Sequence, residues 1–187
     1  MQTDEFTQQI AHTYLKTLKN RDVPHTRLFI TFSGVPGSGK TTLAKKLARD
    51  LKAQYVQHDA IRAMIRAEGR DPAAMDIALI SRTIVDMVLA TDSNKLVILD
   101  SSIDRKWDGF FHYAQQSDAK TIVIRMNVPK AILRKRLERR DKDMGNRNNL
   151  DTFIEQFNDC KKHVTADLEL TTDYTYKTVL RQLQSNV

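Results

Sequence analysis

Between residues 4 and about 20, Phe6, Ile10, Tyr14, Leu15 and Leu18 recur at three- and four-residue intervals, the spacing of one helical face. The polar stretch NRDVPH follows, and Pro24 breaks that helix. RLFITF is then an apolar run of the buried-strand kind that ends directly in a glycine-rich stretch, SGVPGSGKTT. Helical spacing returns with Leu43, Ala44, Leu47, Ala48 and Leu51. QYVQHD, residues 54–59, predicts a second short strand, and AIRAMIRAEG a helix or helical turn. GRDP marks a loop, after which a long helical pattern runs from about Ala73 to Ala90.

KLVILD, Lys95 to Asp100, predicts a third strand, a helix follows around Lys106 to Gln116, and KTIVIRMNV predicts a fourth strand. Pro129 stands where proline is favoured, in the first turn of the helix that carries ILRKRLERR. The polar loop DKDMGNRNN leads to a helix over about Leu150 to Val164, a weak strand ADLELT and a last helix through Thr178 to Leu183. Strands alternating with helices predict an α/β fold, a parallel sheet with helices on both faces. No repeat and no linker divides the pattern, so the expectation is one domain over residues 1–187, with residues 1–24 as an N-terminal helical extension.

Composition narrows this picture mainly by exclusion. With 41% hydrophobic and 28% charged residues the chain reads as globular. A single cysteine, Cys160, allows no internal disulfide, which fits a reducing compartment. The start MQTDEFTQQ is polar and acidic, unlike a signal peptide, and apolar runs stop far short of a membrane span. The expectation is a soluble cytoplasmic protein with no membrane partner. Net charge is +7, and the segment Arg134 to Arg147 carries seven basic residues against Glu138, Asp141 and Asp143, a local +4. So concentrated a cluster suits a polyphosphate at least as well as a duplex, and a nucleic-acid partner is not favoured.

The glycine-rich stretch carries the chemistry. Gly34, Val35, Pro36, Gly37, Ser38, Gly39, Lys40 and Thr41 fit G-x-x-x-x-G-K-[ST], and Thr42 continues into the predicted helix. Glycines let the backbone curl so that successive N–H groups face phosphate oxygens, and the helix after Gly39 adds its positive end. Lys40 would reach the β- and γ-phosphates, and the Thr41 hydroxyl would ligate Mg²⁺. Asp100, closing the third strand, is the acidic residue expected to face the same cation. The expected cofactors are ATP and Mg²⁺.

Holding a triphosphate does not decide its fate. The chain has no Asn-Lys-x-Asp, no Asp-x-x-Gly and no Ser-Gly-Gly-Gln, the marks of GTPases and transporter ATPases. It has instead Asp59 and Arg62 in HDAIRAMI, a carboxylate and a guanidinium beside the loop at the end of the second predicted strand. GVPGSGKTTLA, the D-x-x-R of HDAIR, the acidic strand end VILD and the L-x-x-R-L-x-x-R of LRKRLERR follow one another in order. In this the chain resembles the small AAA-type P-loop kinases, the group of polynucleotide, gluconate-like, adenylylsulfate and zeta-toxin kinases. The resemblance spans Leu28 to Leu183 and leaves the N-terminal helix outside. It implies a three-layer P-loop NTPase fold with a five-stranded parallel sheet in order 2-3-1-4-5. It also implies an arginine-rich lid whose loop covers about residues 139–150, with Arg136 and Arg140 as the arginines that close on transferring phosphate.

Asp59 divides the group. In kinases for hydroxyl acceptors the matching Asp orients or deprotonates the hydroxyl, with Arg62 here as its positioning partner. In nucleoside-monophosphate kinases the matching Arg holds the acceptor phosphate and no base is needed. Those kinases usually follow strand three with Asp-Gly-x-Pro-Arg, whereas this chain has DSSIDRKWD. The expectation is therefore an ATP-dependent kinase acting on a hydroxyl of a small molecule. A nucleotide or polynucleotide 5′-kinase and an ATP-binding switch without an acceptor are the alternatives. Ser101, Ser102 and Arg105 follow into the acceptor side, while Trp107, Phe110, Phe111 and Tyr113 read as core. His58 would point away from Asp59 if the strand persisted, and Cys160 reads as a small buried residue on a helix. The N-terminal apolar stripe fits either packing across the sheet edge or a homodimer contact, so monomer and homodimer both stay open.

Overall fold

Alternation inside the strands decides which of two cores each apolar residue enters. In this computed structural model, which describes residues 4–18, 28–90, 96–104, 119–140, 151–152, 154–155, 157–158 and 164–185, five strands form one parallel sheet. They are β1 (Leu28–Ser33), β2 (Gln54–Gln57), β3 (Leu96–Ser102), β4 (Lys120–Met126) and β5 (Leu168–Leu170). Their order is β2-β3-β1-β4-β5, the order the resemblance implies. The central strand β1 pairs with β3 through Phe29 and Val97 and with β4 through Phe29 and Thr121. All six of its residues are buried, as expected of a strand covered on both faces.

The helices are α1 (Glu5–Leu15), α2 (Lys40–Asp50), α3 (His58–Ala67), α4 (Ile77–Leu89), α5 (Lys130–Arg140) and α6 (Tyr176–Gln184). Leu28, Ile30 and Phe32 join Leu96, Ile98, Ile122 and Ile124 beneath α2 and α6, which contribute Leu43, Leu47, Val179 and Leu183. Phe29, Val97, Leu99 and Val123 face the other way, toward α1, α3 and α4.

The N-terminal stripe is spent inside the molecule. Ile10, Ala11 and Tyr14 are buried in the core that α4 and β2 share. Asp4 caps α1, accepting from the Thr7 N–H at 2.9 Å and the Thr7 hydroxyl at 2.7 Å. Those bonds hold its carboxyl below the ordinary range.

Two boundaries differ from the sequence reading. The second strand ends at Gln57, where its pairing with β3 stops at Asp100, and His58 opens α3. Ile61 and Ile65, four apart and fully buried, set the helical phase that His58 and Asp59 join. The pattern from Ala73 to Ala90 is divided in two. Asp71 caps a 3-10 turn at Pro72–Ala74, and Asp76 caps α4 through the N–H groups of Ala78 and Leu79. No described helix is long and apolar enough to cross a membrane. Pro24, Arg105, Trp107, Phe110, Phe111, Tyr113, Cys160 and the lid loop from residue 141 to 150 lie outside the described residues.

Candidate active site

Strand β1 leads into a loop that curls before α2, and two close approaches show why glycine is needed there. Gly37 has φ +81°, and a Cβ on it would stand 3.1 Å from Leu137 Cγ. Gly34 has φ +141°, and a Cβ there would meet the Met126 carbonyl oxygen at 3.0 Å. Within the curl, Lys40 Nζ donates to the Gly34 carbonyl at 2.5 Å and to the Val35 carbonyl at 2.9 Å. Gly34 to Thr42 all line a single cleft, so the predicted phosphate loop is one continuous wall.

The start of the loop is tied down by Asp104, a buried carboxylate that the sequence reading passed over. It accepts from the Ser33 hydroxyl at 2.6 Å, the Gly34 N–H at 2.8 Å and the Ser102 hydroxyl. Three donors replace its lost hydration, which is what a buried carboxylate requires. Nothing in the sequence beyond the run DSSID marks it, because the contact is made across 70 residues.

Asp100 lies within β3 rather than at its end, since the strand continues to Ser102. Its side chain is 7% exposed, with Oδ1 accepting from the Thr41 hydroxyl at 3.1 Å. Oδ2 accepts from the Tyr55 hydroxyl at 2.5 Å. Burial, and then the bond to Asp100, push the Tyr55 phenol far above its ordinary range, so it stays a donor. The pairing of a loop hydroxyl with a strand carboxylate fits a hard divalent cation that takes few protein oxygens and completes its shell with phosphate and water. Tyr55 was invisible as a site residue because one tyrosine in a short strand carries no motif.

The first part of α3 lines the same cleft. Arg62 donates to Asp59 at 2.8 Å, one helical turn apart, and the two side chains are 39% and 70% exposed. His58 also lines the cleft, its Nε2 lying 3.0 Å from Ser81 Oγ. The expectation that His58 faces away from Asp59 is therefore corrected, since a helix places neighbours about 100° apart and not on opposite faces. The junction carrying both residues is keyed by α1. The Tyr14 hydroxyl accepts from the Gln57 N–H at 2.8 Å and donates to the Tyr55 carbonyl at 3.3 Å.

From α5, the Arg136 guanidinium donates to the Ser38 carbonyl at 3.1 Å and the Gly37 carbonyl at 3.3 Å. Leu133 and Leu137 form a small core with Val35 of the loop, against which Ile154 and Phe157 pack. Lys130 and Asp151, 2.7 Å apart, tie α5 to the helical residues that follow. Arg136 thus meets the carbonyls of the phosphate loop, whereas the side chain of Arg140 lies outside the described residues. Ser101 and Ser102 line the cleft beside Asp100, and Thr171, Thr172 and Tyr174 after β5 line it too. The cleft measures about 1420 Å³. That exceeds the roughly 300–1,000 Å³ typical of one small ligand and leaves room for two.

Comparison with known proteins agrees with this architecture. A family model described as an AAA domain matches residues 29–166. A gluconokinase from Sinorhizobium meliloti 1021 superposes with a TM-score of 0.55 at 18% identity, over 88% of this chain and 92% of that one. For a shikimate kinase from Bacteroides thetaiotaomicron the values are 0.55 and 16%, over 85% and 97%. A sugar kinase from Janibacter sp. HTCC2649 gives 0.57 and 15%, over 86% and 93%. At these identities the likeness establishes the fold, that of small P-loop kinases. No curated protein matches the chain.

Proposed function

This chain belongs to the AAA domain family, and from that premise we propose that it is an ATP- and Mg²⁺-dependent phosphotransferase acting on a hydroxyl of a small molecule. One observation carries the reading: the phosphate loop and the Asp59–Arg62 pair line one cleft large enough for two substrates. A binding switch has no use for that pair.

The loop N–H groups from Gly37 to Thr42 bind the triphosphate, and Lys40 exchanges its loop carbonyls for phosphate oxygens. Thr41 and Asp100 would hold Mg²⁺, whose charge neutralises the phosphates when it is bound. Asp59 takes the proton of the acceptor hydroxyl as that oxygen bonds to the γ-phosphorus. The bond from the γ-phosphorus to the bridging oxygen breaks, and ADP leaves. Arg62 holds the Asp59 carboxylate in place, and Arg136 lies where charge spreads over the transferring group. With Asp59 well exposed, the bound acceptor itself must exclude water before transfer.

The test is ADP release from Mg²⁺-ATP against sugars, sugar acids, nucleosides, nucleotides and 5′-hydroxyl oligonucleotides, with Asp59→Asn beside the wild type. One acceptor should stimulate release strongly, and Asp59→Asn should lower that rate by about 10²–10⁴-fold while ATP binding is kept. Stimulation that survives the substitution would mean a phosphate acceptor and no base at Asp59. ATP binding that no acceptor converts to turnover would leave a switch.

A further inference from the structure

Each oxygen of Asp100 meets a different hydroxyl. Thr41 is explained by the loop motif, but Tyr55 belongs to no phosphate-binding pattern and comes from β2 at the edge of the sheet. We propose that Tyr55 is a positioning residue: its hydroxyl fixes the Asp100 carboxylate so that Oδ1 stays aimed, with Thr41, at the place where a divalent cation meets the phosphates. The inference rests on the Mg²⁺-dependent reading above and extends it to a residue outside the loop.

An aspartate carboxylate turns broadly about its terminal bond. A single donor at Oδ1 leaves much of that freedom, whereas a second donor at Oδ2, 2.5 Å away, removes it. Strand register makes the contact possible. Tyr55 pairs with Ile98, and Asp100 stands two residues further along β3 on the same face. The Tyr55 ring packs against the core beneath α2, which holds the phenol beside Asp100. Among the described residues no cation pairs with Asp100, and its orientation rests on these two hydroxyls. A carboxylate so oriented meets an arriving cation without first giving up a bound Lys or Arg.

Tyr55→Phe keeps the ring and its packing while deleting the one bond. Tyr14→Phe is the matched control, because it removes a hydroxyl from the same strand's surroundings that does not touch Asp100. Binding of a fluorescent ATP analogue is measured in EDTA and across a Mg²⁺ titration, with melting curves for all three proteins. The expected result is that Tyr55→Phe binds the analogue normally in EDTA and needs about tenfold more Mg²⁺ for half of the metal-dependent gain. Tyr14→Phe should lower the melting temperature and keep the wild-type Mg²⁺ midpoint. A wild-type midpoint in Tyr55→Phe, or equal shifts in both variants, would overturn the assignment and leave Tyr55 as a structural residue. If wild type bound the analogue with no response to Mg²⁺, the metal reading and this inference would fall together. A Mg²⁺ response in the wild type that Tyr55→Phe shifts, without transfer to any acceptor, would remove only the phosphotransferase.

Discussion

The two walls of the cleft are built on different principles. On the donor side every group is tied: Lys40 to loop carbonyls, Gly34 to Asp104, Thr41 and Tyr55 to Asp100, Arg136 to Ser38 and Gly37. Most of these partners are backbone or buried groups set by the sheet. On the side we propose for the acceptor, Asp59, Arg62 and Arg66 project from the exposed stripe of α3, whose other face is anchored by Ile61 and Ile65. A triphosphate has the same shape for every enzyme that uses it, so a backbone cradle serves it well. An acceptor is recognised by side chains that a helix surface can exchange at small cost to folding, and substrates can diverge on one fold.

If that division holds, donor-side changes should strike transfer to every acceptor alike. The largest effect belongs to Lys40→Met, which keeps the length of the side chain and removes the charge. The turnover rate should fall by about 10²–10³-fold with each acceptor that wild type phosphorylates, while the melting curve stays cooperative. Steady-state kinetics on two acceptors of different structure check this. Were one acceptor spared, the loop would be contributing to acceptor choice and the division would break. Were the variant unfolded, the Lys40 ammonium would be holding the Gly34 and Val35 carbonyls together as a structural tie.

Arg136→Ala comes next. The guanidinium stands over the loop and α5 is independently packed through Leu133 and Leu137, so the fold should survive. Losing a charge-assisted donor beside the phosphates should lower kcat/KM for ATP by about 10–100-fold and leave the KM of the acceptor unchanged. A change in acceptor KM without one in ATP would move Arg136 to the other wall.

The same contrast explains what the sequence made legible. The phosphate loop is read at a glance because its residues are neighbours in the chain: the glycines, Lys40 and Thr41 lie within eight positions, and spacing alone specifies them. The parallel sheet is likewise legible, because strands alternate with helices along the chain and the central strand is an unbroken apolar run. Asp104 and Tyr55 were hidden because each acts through a partner far away in sequence, 70 residues for Gly34 and 45 for Asp100. His58 was misplaced for a narrower reason. The sequence pattern extends the second strand over His58 and Asp59, whereas the helical phase set by Ile61 and Ile65 overrides the apparent β pattern there. The home of α1 was undecided for a related reason, since an apolar stripe says that it must be covered and not by what. Ile10 and Tyr14 answer through long-range packing on the core shared with α4.

The smallest expected effect is the most specific to the acceptor wall. Arg66 lies one turn beyond Arg62 on the same stripe, lines the cleft, and is exposed. Arg66→Gln removes charge at a solvent-screened site, where an interaction with a bound acceptor is worth only a fraction of a buried one. The KM of an anionic acceptor should rise about two- to fivefold, that of a neutral acceptor should stay within error, and ATP binding should be untouched. Thermal stability should hold as well, because the buried face of α3 is unchanged. Parallel kinetics on one charged and one uncharged acceptor separate these outcomes. A rise in the KM of ATP instead would place Arg66 over the phosphates and bring the two walls closer than the division allows. No change with either acceptor would confine recognition to Asp59, Arg62 and the apolar rim at Pro72, Met75 and Ile77, and the wall that chooses the substrate would be shorter by one helical turn.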